Sequence, residues 1–216
     1  DGNGFKGGGY GLRVLPAEIA APVNTIKNCI AYHNKANGFY ANHHLNGDQW
    51  YNNTAYENKY NYCMVNQESW DQAVDIDGYN HILMNNVAFD GVKGDYTRIN
   101  QAKCTLVNNS FLPNDYSPSA SDFEDTGNFI QMTASRKADG SLPDLTFLKL
   151  KPSSRLYTLQ MGYQFEYQDP NLTEIMTPTR EPDIKSNIRY YNMNGMAVDN
   201  PLHGLYVYKG KKILMK

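Results

Sequence analysis

Charged residues make up only 19% of the 216 residues, and no Lys/Arg-rich stripe is present. Twenty basic residues against 22 acidic ones give a formal net charge of -2, which excludes the electrostatic footprint of a nucleic-acid-binding protein. No apolar run approaches the roughly 20 residues of a membrane-spanning helix. Cys29, Cys63 and Cys104 form no CxxC motif, and we expect three buried free thiols.

Aromatic residues are plentiful, and an irregular repeat marked by asparagine runs through the first half of the chain. With Asn28, Asn53, Asn86 and Asn109 taken as equivalent, the repeats are 25, 33 and 23 residues long. Such periods indicate a solenoid, and the short β-branched or aromatic runs favour an all-β parallel β-helix over helical repeats. Stacked coils would place these asparagines in a hydrogen-bonded ladder at a corner. The longest repeat predicts a projecting loop around residues 67–79.

The sequence changes character after Phe111. Turn-rich and strand-like pieces, such as residues 146–150, predict the last coils and a cap over the open end of the solenoid, so that the first domain covers residues 1–176. A linker is expected at 177–182. The hairpin signals Asn194-Gly195 and Lys209-Gly210 predict a small β appendage over residues 186–216.

Two groups of residues are candidates for chemistry. Gly2-Asn-Gly4-Phe-Lys-Gly7 formally matches a dinucleotide-binding motif, but the required strand and helix are missing around it. The glycines would instead let a ligand approach closely and leave Lys6 prominent, unless Lys6 is simply a solvated surface residue. Asp75-Ile-Asp77 would place two acids on one strand face, as in a glycosidase or calcium site, unless they are solvated loop residues.

Three segments resemble polysaccharide lyase family 9, whose members are right-handed parallel β-helix enzymes that cleave pectic polymers. The segments are DGNGFKGGG at 1–9, NCIAYHNKANGF at 28–39 and YNNTAYEN at 51–58, and the resemblance extends over residues 1–170. Residues 136–143 are similar to the C-terminal part of the family in gut Bacteroidetes. Residues 191–216 resemble C-terminal β tails of secreted Bacteroidetes proteins. Secretion, or location at the cell surface or in the periplasm, is therefore implied.

The resemblance also implies a mechanism and a site. Lys6 corresponds to the Brønsted base that removes the C5 proton of a uronate, while calcium bound to the sugar carboxylate stabilises the developing charge. Asn42, His43 and His44 are candidate substrate contacts. The family holds calcium through an aspartate cluster before the lysine motif, and nothing here resembles that cluster. We therefore expect the C-terminal portion of a lyase, with the calcium ligands outside this chain.

The function predicted from the sequence is calcium-assisted β-elimination of polygalacturonate or of the rhamnogalacturonan backbone. Two alternatives stay open at this point. One is a non-catalytic β-solenoid fragment that binds glycan or has a structural role. The other is a β-helix glycoside hydrolase that uses Asp75 and Asp77 as its paired carboxylates.

Overall fold

The computed structural model describes residues 1–9, 22–113, 116–141 and 143–167, and the strands at 190–191, 197–198, 204–208 and 211–215. The chain divides into two compact units, Asp1–Gln168 and Asp169–Lys216. Among the described residues, no helix is long and apolar enough to cross a membrane.

Four successive coils of short strands make up the first unit. The strands are β1 (Phe5–Lys6), β2 (Thr25–Lys27) and β3 (Ile30–Tyr32) in the first coil; β4 (Asn37–Tyr40), β5 (Gln49–Tyr51) and β6 (Thr54–Tyr56) in the second; β7 (Tyr60–Cys63), β8 (Asn66–Gln67), β9 (Asp75–Ile76), β10 (Ile82–Met84) and β11 (Val87–Phe89) in the third; and β12 (Gly94–Thr97) and β13 (Thr105–Val107) in the fourth.

Corresponding strands of neighbouring coils pair in parallel, so the coils stack into three sheets. Sheet 1 has the order β1-β4-β7-β12, sheet 2 the order β2-β5-β10-β13, and sheet 3 the order β3-β6-β11. This arrangement confirms the predicted parallel β-helix. The extra length of the third coil forms the antiparallel hairpin β8–β9, in which Gln67 pairs with Asp75, as the long repeat predicted.

Each sheet contributes one column of side chains to the interior. The columns are Phe5–Phe39–Tyr62 in sheet 1, Ile26–Trp50–Leu83–Leu106 in sheet 2 and Ala31–Ala55–Ala88 in sheet 3. The rings of Phe5, Phe39, Tyr62 and Phe111 follow one another at centroid distances of 5.2, 5.0 and 4.7 Å. Full burial of one such aromatic ring contributes about 2–3 kcal/mol, and small alanines opposite make room for the rings.

Two asparagine columns, and not one, occupy the corner between sheets 2 and 3. The first contains the residues with left-handed backbone, Asn28, Asn52, Asn85 and Asn108, with φ of 54°, 49°, 57° and 53°. The second column contains Cys29, Asn53, Asn86 and Asn109. The pairing of Thr25 with Gln49 therefore makes the first repeat 24 residues long, and the predicted equivalence of Asn28 with Asn53 is wrong by one position.

The second column forms the predicted ladder. Asn53 Nδ2 donates to Asn86 Oδ1 at 3.1 Å, and Asn86 Nδ2 donates to Asn109 Oδ1 at 2.8 Å. Asn86 Nδ2 also donates to the carbonyl of Trp50 at 2.8 Å. All three asparagines are fully buried, so the ladder satisfies polar groups that would otherwise be costly to remove from water.

The segment after the fourth coil covers the side of the solenoid, while Phe111 and Leu112 pack against the end of the interior. The segment contains two 3-10 helices, Ala120–Asp122 and Phe129–Thr133, and the short helix α1, Arg155–Thr158. Asn28 Nδ2 donates to the carbonyl of Phe165 at 2.6 Å, and Asn52 Nδ2 to that of Gln160 at 2.8 Å. The segment predicted to cap the open end of the solenoid therefore lies along the side of the coils.

Both faces of sheet 3 are apolar, which explains why the cap lies there. The outer face packs into a second hydrophobic cluster, which contains Tyr56, Val87, Phe123, Phe147, Leu148, Leu150, Leu156 and Met161. Residues 146–150, which the sequence suggested as strand-like, form single bridges from Phe147 to Asp125 and from Leu150 to Phe123.

The second unit is a four-stranded antiparallel sheet with the order β15-β14-β16-β17. Its strands are β14 (Tyr190–Tyr191), β15 (Ala197–Val198), β16 (Gly204–Tyr208) and β17 (Lys211–Met215). Tyr208 pairs with Lys211, so β16 and β17 are joined by the two residues Lys209-Gly210. This sheet is the predicted β appendage. The predicted linker at 177–182 lies outside the described residues, and the domain limits 1–176 and 186–216 stay a prediction.

Candidate functional site

The outer face of sheet 1 presents the column that contains Lys6. The strand register aligns Lys6 with Tyr40, Tyr40 with Cys63, and Cys63 with Thr97. Because side chains alternate along a strand, these four residues point away from the interior that Phe5, Phe39 and Tyr62 fill. Sequence alternation alone therefore fixes the outward orientation of Lys6.

The amine of Lys6 is accessible at this surface. Its Nζ lies 3.0 Å from Asp1 Oδ2 and 5.9 Å from the centroid of the Tyr40 ring. The Lys6 side chain is 40% exposed and that of Asp1 is 74% exposed. An ion pair this open to water contributes little to stability, so a ligand can replace Asp1 at small cost.

A groove of about 320 Å³ runs along the same face, next to Tyr40. Its lining includes Tyr40, Cys63, Asp75, Thr97 and Arg98. Burial, with smaller contributions from Cys63 and Asp75, raises the pKa of Tyr40, so its hydroxyl group stays protonated at neutral pH. The groove therefore offers an aromatic surface and hydrogen-bonding groups close to the Lys6 amine.

The three cysteines are free, as predicted, but the prediction that all three are buried is wrong for two of them. Cys63 is buried, whereas Cys29 and Cys104 are partly exposed. Burial raises the pKa of all three thiols, and none of them is thereby activated as a nucleophile.

The glycine run beside Lys6 is required by close packing against the second coil. A Cβ at Gly7 would lie 2.6 Å from Asp48 Oδ2, and one at Gly8 would lie 2.3 Å from the carbonyl oxygen of Ala41. Both distances are too short for a side chain. The interpretation that these glycines open the backbone to a ligand is therefore wrong for Gly7 and Gly8, because the second coil already occupies that space.

The candidate substrate contacts Asn42, His43 and His44 separate in the structure. Asn42 and His43 have left-handed backbones, with φ of 54° and 63°. The side chain of His43 is 17% exposed, and its Nε2 lies 2.8 Å from Asp75 Oδ1. His44 is fully buried, and its Nε2 donates to the carbonyl of Pro22 at 2.6 Å. The His44 side chain is thus not available to a polysaccharide at the surface.

His44 belongs to a buried polar network at the corner between sheets 1 and 2. Asn24 Nδ2 donates to Asp48 Oδ1 at 3.2 Å, and His44 Nε2 lies 3.4 Å from the same oxygen. The backbone N–H of Asp48 donates to His81 Nδ1 at 2.9 Å, and His81 Nε2 donates to Asn66 Oδ1 at 3.0 Å. No sequence motif indicates this network, since its members come from four separate segments of the chain.

Burial shifts the two ionisable ends of the network in opposite directions. It raises the pKa of Asp48, against the opposing effect of His44. Burial, together with the charge of His44, lowers the pKa of His81 to about 4. Apart from the partly buried Asn24, the network is fully buried, and we infer that it has a structural role.

Asp75 and Asp77 do not form a pair of cooperating acids. Asp75 contacts His43, whereas Asp77 Oδ1 lies 3.5 Å from Arg98 Nη1. Each carboxylate thus has its own cationic or imidazole partner on a different coil. Within residues 1–9, 22–113, 116–141 and 143–167, three or more His, Cys, Asp or Glu side chains nowhere converge in a way that could hold a metal ion. The carboxylates of the described residues therefore form no cluster of the kind that holds calcium.

Comparison with known proteins agrees with this architecture. Residues 1–80 match the family described as the Pel9A-like, right-handed beta helix region. The chain is 30% identical over 163 residues to pectate lyase L of Paenibacillus polymyxa (strain SC2), covering 72% of this chain and 30% of that protein.

Two solved structures are similar to the chain. A rhamnogalacturonan lyase has a TM-score of 0.62 and 33% sequence identity, covering 76% of this chain and 40% of that one. Pectate lyase Pel9A has a TM-score of 0.51 and 28% identity, covering 72% of this chain and 33% of that one. The chain spans less than half the length of these relatives. It therefore has the right-handed parallel β-helix fold and is similar to part of the pectate and rhamnogalacturonan lyases.

Proposed function

We propose that this chain supplies the base and part of the sugar-binding surface of a pectic polysaccharide lyase. The observation that carries the proposal is the exposed amine of Lys6, which lies beside Tyr40 on the grooved outer face of sheet 1. Lys6 and Tyr40 also fall within residues 1–80, the region that matches the lyase family.

In the proposed reaction, the neutral amine of Lys6 removes the C5 proton of a uronate in the polymer. The electrons of the C5–H bond form a C4–C5 double bond, the C4–O4 bond breaks, and O4 leaves with its sugar chain and takes up a proton. The products are a 4,5-unsaturated sugar at the new non-reducing end and a shorter polymer. Asp1 Oδ2 contacts the Lys6 amine at 3.0 Å, so the substrate has to displace Asp1 before the proton is removed.

The proposal assigns no step to a metal ion, because the described residues supply no ligand set for one. If calcium assists the reaction, as in the sequence-based hypothesis, its ligands lie outside the described residues. The chain's own contribution is to place the base and to orient the sugar.

Asn42 and His43 are the proposed substrate contacts, since they follow β4 at the level of Tyr40 and stay at least partly exposed. His44 supports them from the interior through its contacts with Pro22 and Asp48. The proposed substrates are polygalacturonate and the rhamnogalacturonan backbone. Because polymers of this size do not enter cells, the proposed site of action is outside the cytoplasm, in a secreted, cell-surface or periplasmic protein.

The test compares Lys6→Ala with Lys27→Ala, which removes an exposed lysine from the outer face of sheet 2. Each variant, in its complete gene product, is incubated with polygalacturonate or rhamnogalacturonan, with added calcium or with a chelator. Ultraviolet absorbance follows the unsaturated product. We expect Lys6→Ala to lower kcat by at least about 100-fold and Lys27→Ala to leave it unchanged. Full activity of Lys6→Ala would refute the proposed base.

The same assay distinguishes the two alternatives. New reducing ends without ultraviolet absorbance would indicate a hydrolase, although the separate partners of Asp75 and Asp77 argue against it. Retention on immobilised pectin with neither product would indicate a glycan-binding module.

A further inference from the structure

A second cationic group lies on the outer face of sheet 1, away from Lys6. Arg98 directly follows Thr97, the member of the Lys6 column in the fourth coil. Three strand spacings separate Lys6 from Thr97, which corresponds to about 14 Å along the sheet. Arg98 lines the groove beside Cys63 and Thr97, so one groove wall carries a cation several sugar lengths from the proposed base.

The backbone holds Arg98 firmly in place. Its φ is 57°, and its carbonyl accepts a hydrogen bond from the Gly78 N–H at 2.8 Å. Gly78 also bridges to Ile99. A Cβ at Gly78 would lie 1.7 Å from the carbonyl oxygen of Met64, so the base of the β8–β9 hairpin fits closely between the third and fourth coils. The guanidinium therefore extends from a fixed point.

The side chain of Arg98 is available to a ligand. Its Nη1 lies 3.5 Å from Asp77 Oδ1, and the two side chains are 47% and 55% exposed. A pair this long and this open to water is weak. The guanidinium has five N–H donors and binds a carboxylate through two of them, so a carboxylate on a ligand can compete with Asp77.

The other charged groups of the groove are consistent with an anionic ligand. Lys59 adds a second cation to the lining. The acid of the groove lining, Asp75, contacts the imidazole of His43 at 2.8 Å. Asp77 is thus the carboxylate that competes directly for Arg98.

We propose that Arg98 is a specificity-determining residue that binds the carboxylate of a uronate some sugars away from the one at Lys6. Asp77 holds the guanidinium in the ligand-free protein and is displaced by the polymer. The inference rests on the proposed function, and it adds a preference for pectic chains whose carboxylates are not esterified.

The experiment measures binding, which does not require turnover. The 216-residue chain is run in native gels that contain increasing polygalacturonate, and its retardation gives an affinity. We expect Arg98→Gln to weaken binding about fivefold, as for loss of one exposed charge-assisted contact. The matched control Arg136→Gln removes an exposed arginine from the segment that follows the fourth coil, and it should bind like the wild type. Arg98→Lys keeps the positive charge but lacks the paired N–H donors of the guanidinium, so its affinity should be intermediate.

Asp77→Asn distinguishes ligand binding from a structural ion pair. Removing the competing carboxylate should strengthen polygalacturonate binding. A structural role of the ion pair instead predicts that Asp77→Asn and Arg98→Gln both weaken binding. On fully methyl-esterified pectin the effect of Arg98→Gln should disappear. Circular dichroism and thermal melting check the fold of each variant, and Arg98→Lys with Asp77→Asn decide the matter if Arg98→Gln unfolds.

Three results would overturn the inference: no retardation of the wild-type chain, equal binding of the wild type and Arg98→Gln, or weaker binding of Asp77→Asn. The failure of the proposed function is a separate observation. It appears as undiminished elimination by Lys6→Ala, in an assay that does not involve Arg98.

Discussion

Lowering the pH from about 7.5 to about 5 is expected to destabilise the β-helix unit, because the hydrogen bonds of His81 suit only the neutral imidazole. Nδ1 accepts from the Asp48 backbone N–H, and Nε2–H donates to Asn66. A proton on Nδ1 would face the Asp48 N–H donor and would have to be buried as charge. Burial of the charged form and, after it, the charge of His44 lower the pKa of His81 to about 4.

The magnitude follows from the two protonation equilibria. In the unfolded chain His81 takes up its proton near pH 6.5, and in the folded chain only near pH 4. The unfolded state therefore binds more protons between these values, and stability falls as the pH falls through this window. The loss is about 2 kcal/mol at pH 5 and at most about 3 kcal/mol at lower pH. A domain has only about 5–15 kcal/mol of stability in total.

Asp48 and His44 also face this site, and Asp48 acts in the opposite direction. Its raised pKa means that the folded state takes up the Asp48 proton at higher pH than the unfolded chain does. Protonation of Asp48 thus partly offsets the loss at the acidic end. The comparison has to isolate His81, and the variant His81→Asn does so, since the asparagine oxygen can accept the Asp48 N–H and does not titrate.

The assay is urea unfolding at both pH values, followed by tryptophan fluorescence. Both tryptophans, Trp50 and Trp70, lie in the unit Asp1–Gln168, so the signal reports on the β-helix alone. We expect the wild type to lose about 2 kcal/mol more than His81→Asn between the two pH values. An equal pH dependence in the two proteins would refute the reasoning.

Two further predictions concern packing between coils. Asn86→Ala removes the middle of the ladder: the buried Asn53 N–H loses its acceptor, and Asn53 Nδ2 and Asn109 Oδ1 each lose one hydrogen bond. The unfolding free energy in urea should therefore fall by about 3 kcal/mol, and a loss below about 1 kcal/mol would contradict the role of the ladder. Gly8→Ala places a methyl group against the carbonyl of Ala41 and should cost about 2–3 kcal/mol or prevent folding. Gly127→Ala, whose new methyl group would have only an ordinary contact at 3.9 Å, is the matched control.

The solenoid could be predicted from sequence because asparagine is needed at its corners for two separate reasons. One position needs a left-handed backbone, and the next needs an amide that pairs along the stack. In the later coils both positions are asparagine, as in Asn52-Asn53. In the first coil they are Asn28 and Cys29. Spacing alone cannot tell which of two adjacent asparagines aligns with Asn28, and the prediction chose the wrong one.

The position of the cap could not be predicted in the same way. An alternating strand pattern shows that successive side chains point to opposite faces of a sheet, but it does not show what covers each face. Sheet 3 is covered on both faces, by the interior and by the segment that follows the fourth coil. Likewise, the adjacent pair His43-His44 predicts one surface and one interior side chain without saying which. The structure buries His44, because it reaches Asp48 and Pro22 across the corner.

The corner between sheets 1 and 2 connects the stability of the fold to the position of Lys6. Elsewhere the stacked polar residues are mostly amides, as in the Asn34–Asn58–Asn61 chain. At this corner Asn24, Asp48 and His81 take the corresponding places, and two of them ionise. Asn24 Nδ2 also donates to the Gly7 carbonyl at 2.6 Å, one residue after Lys6. The network that low pH is expected to destabilise therefore also holds the strand that presents the proposed base. Acid should thus reduce the order of the Lys6 strand before the amide-linked corners give way.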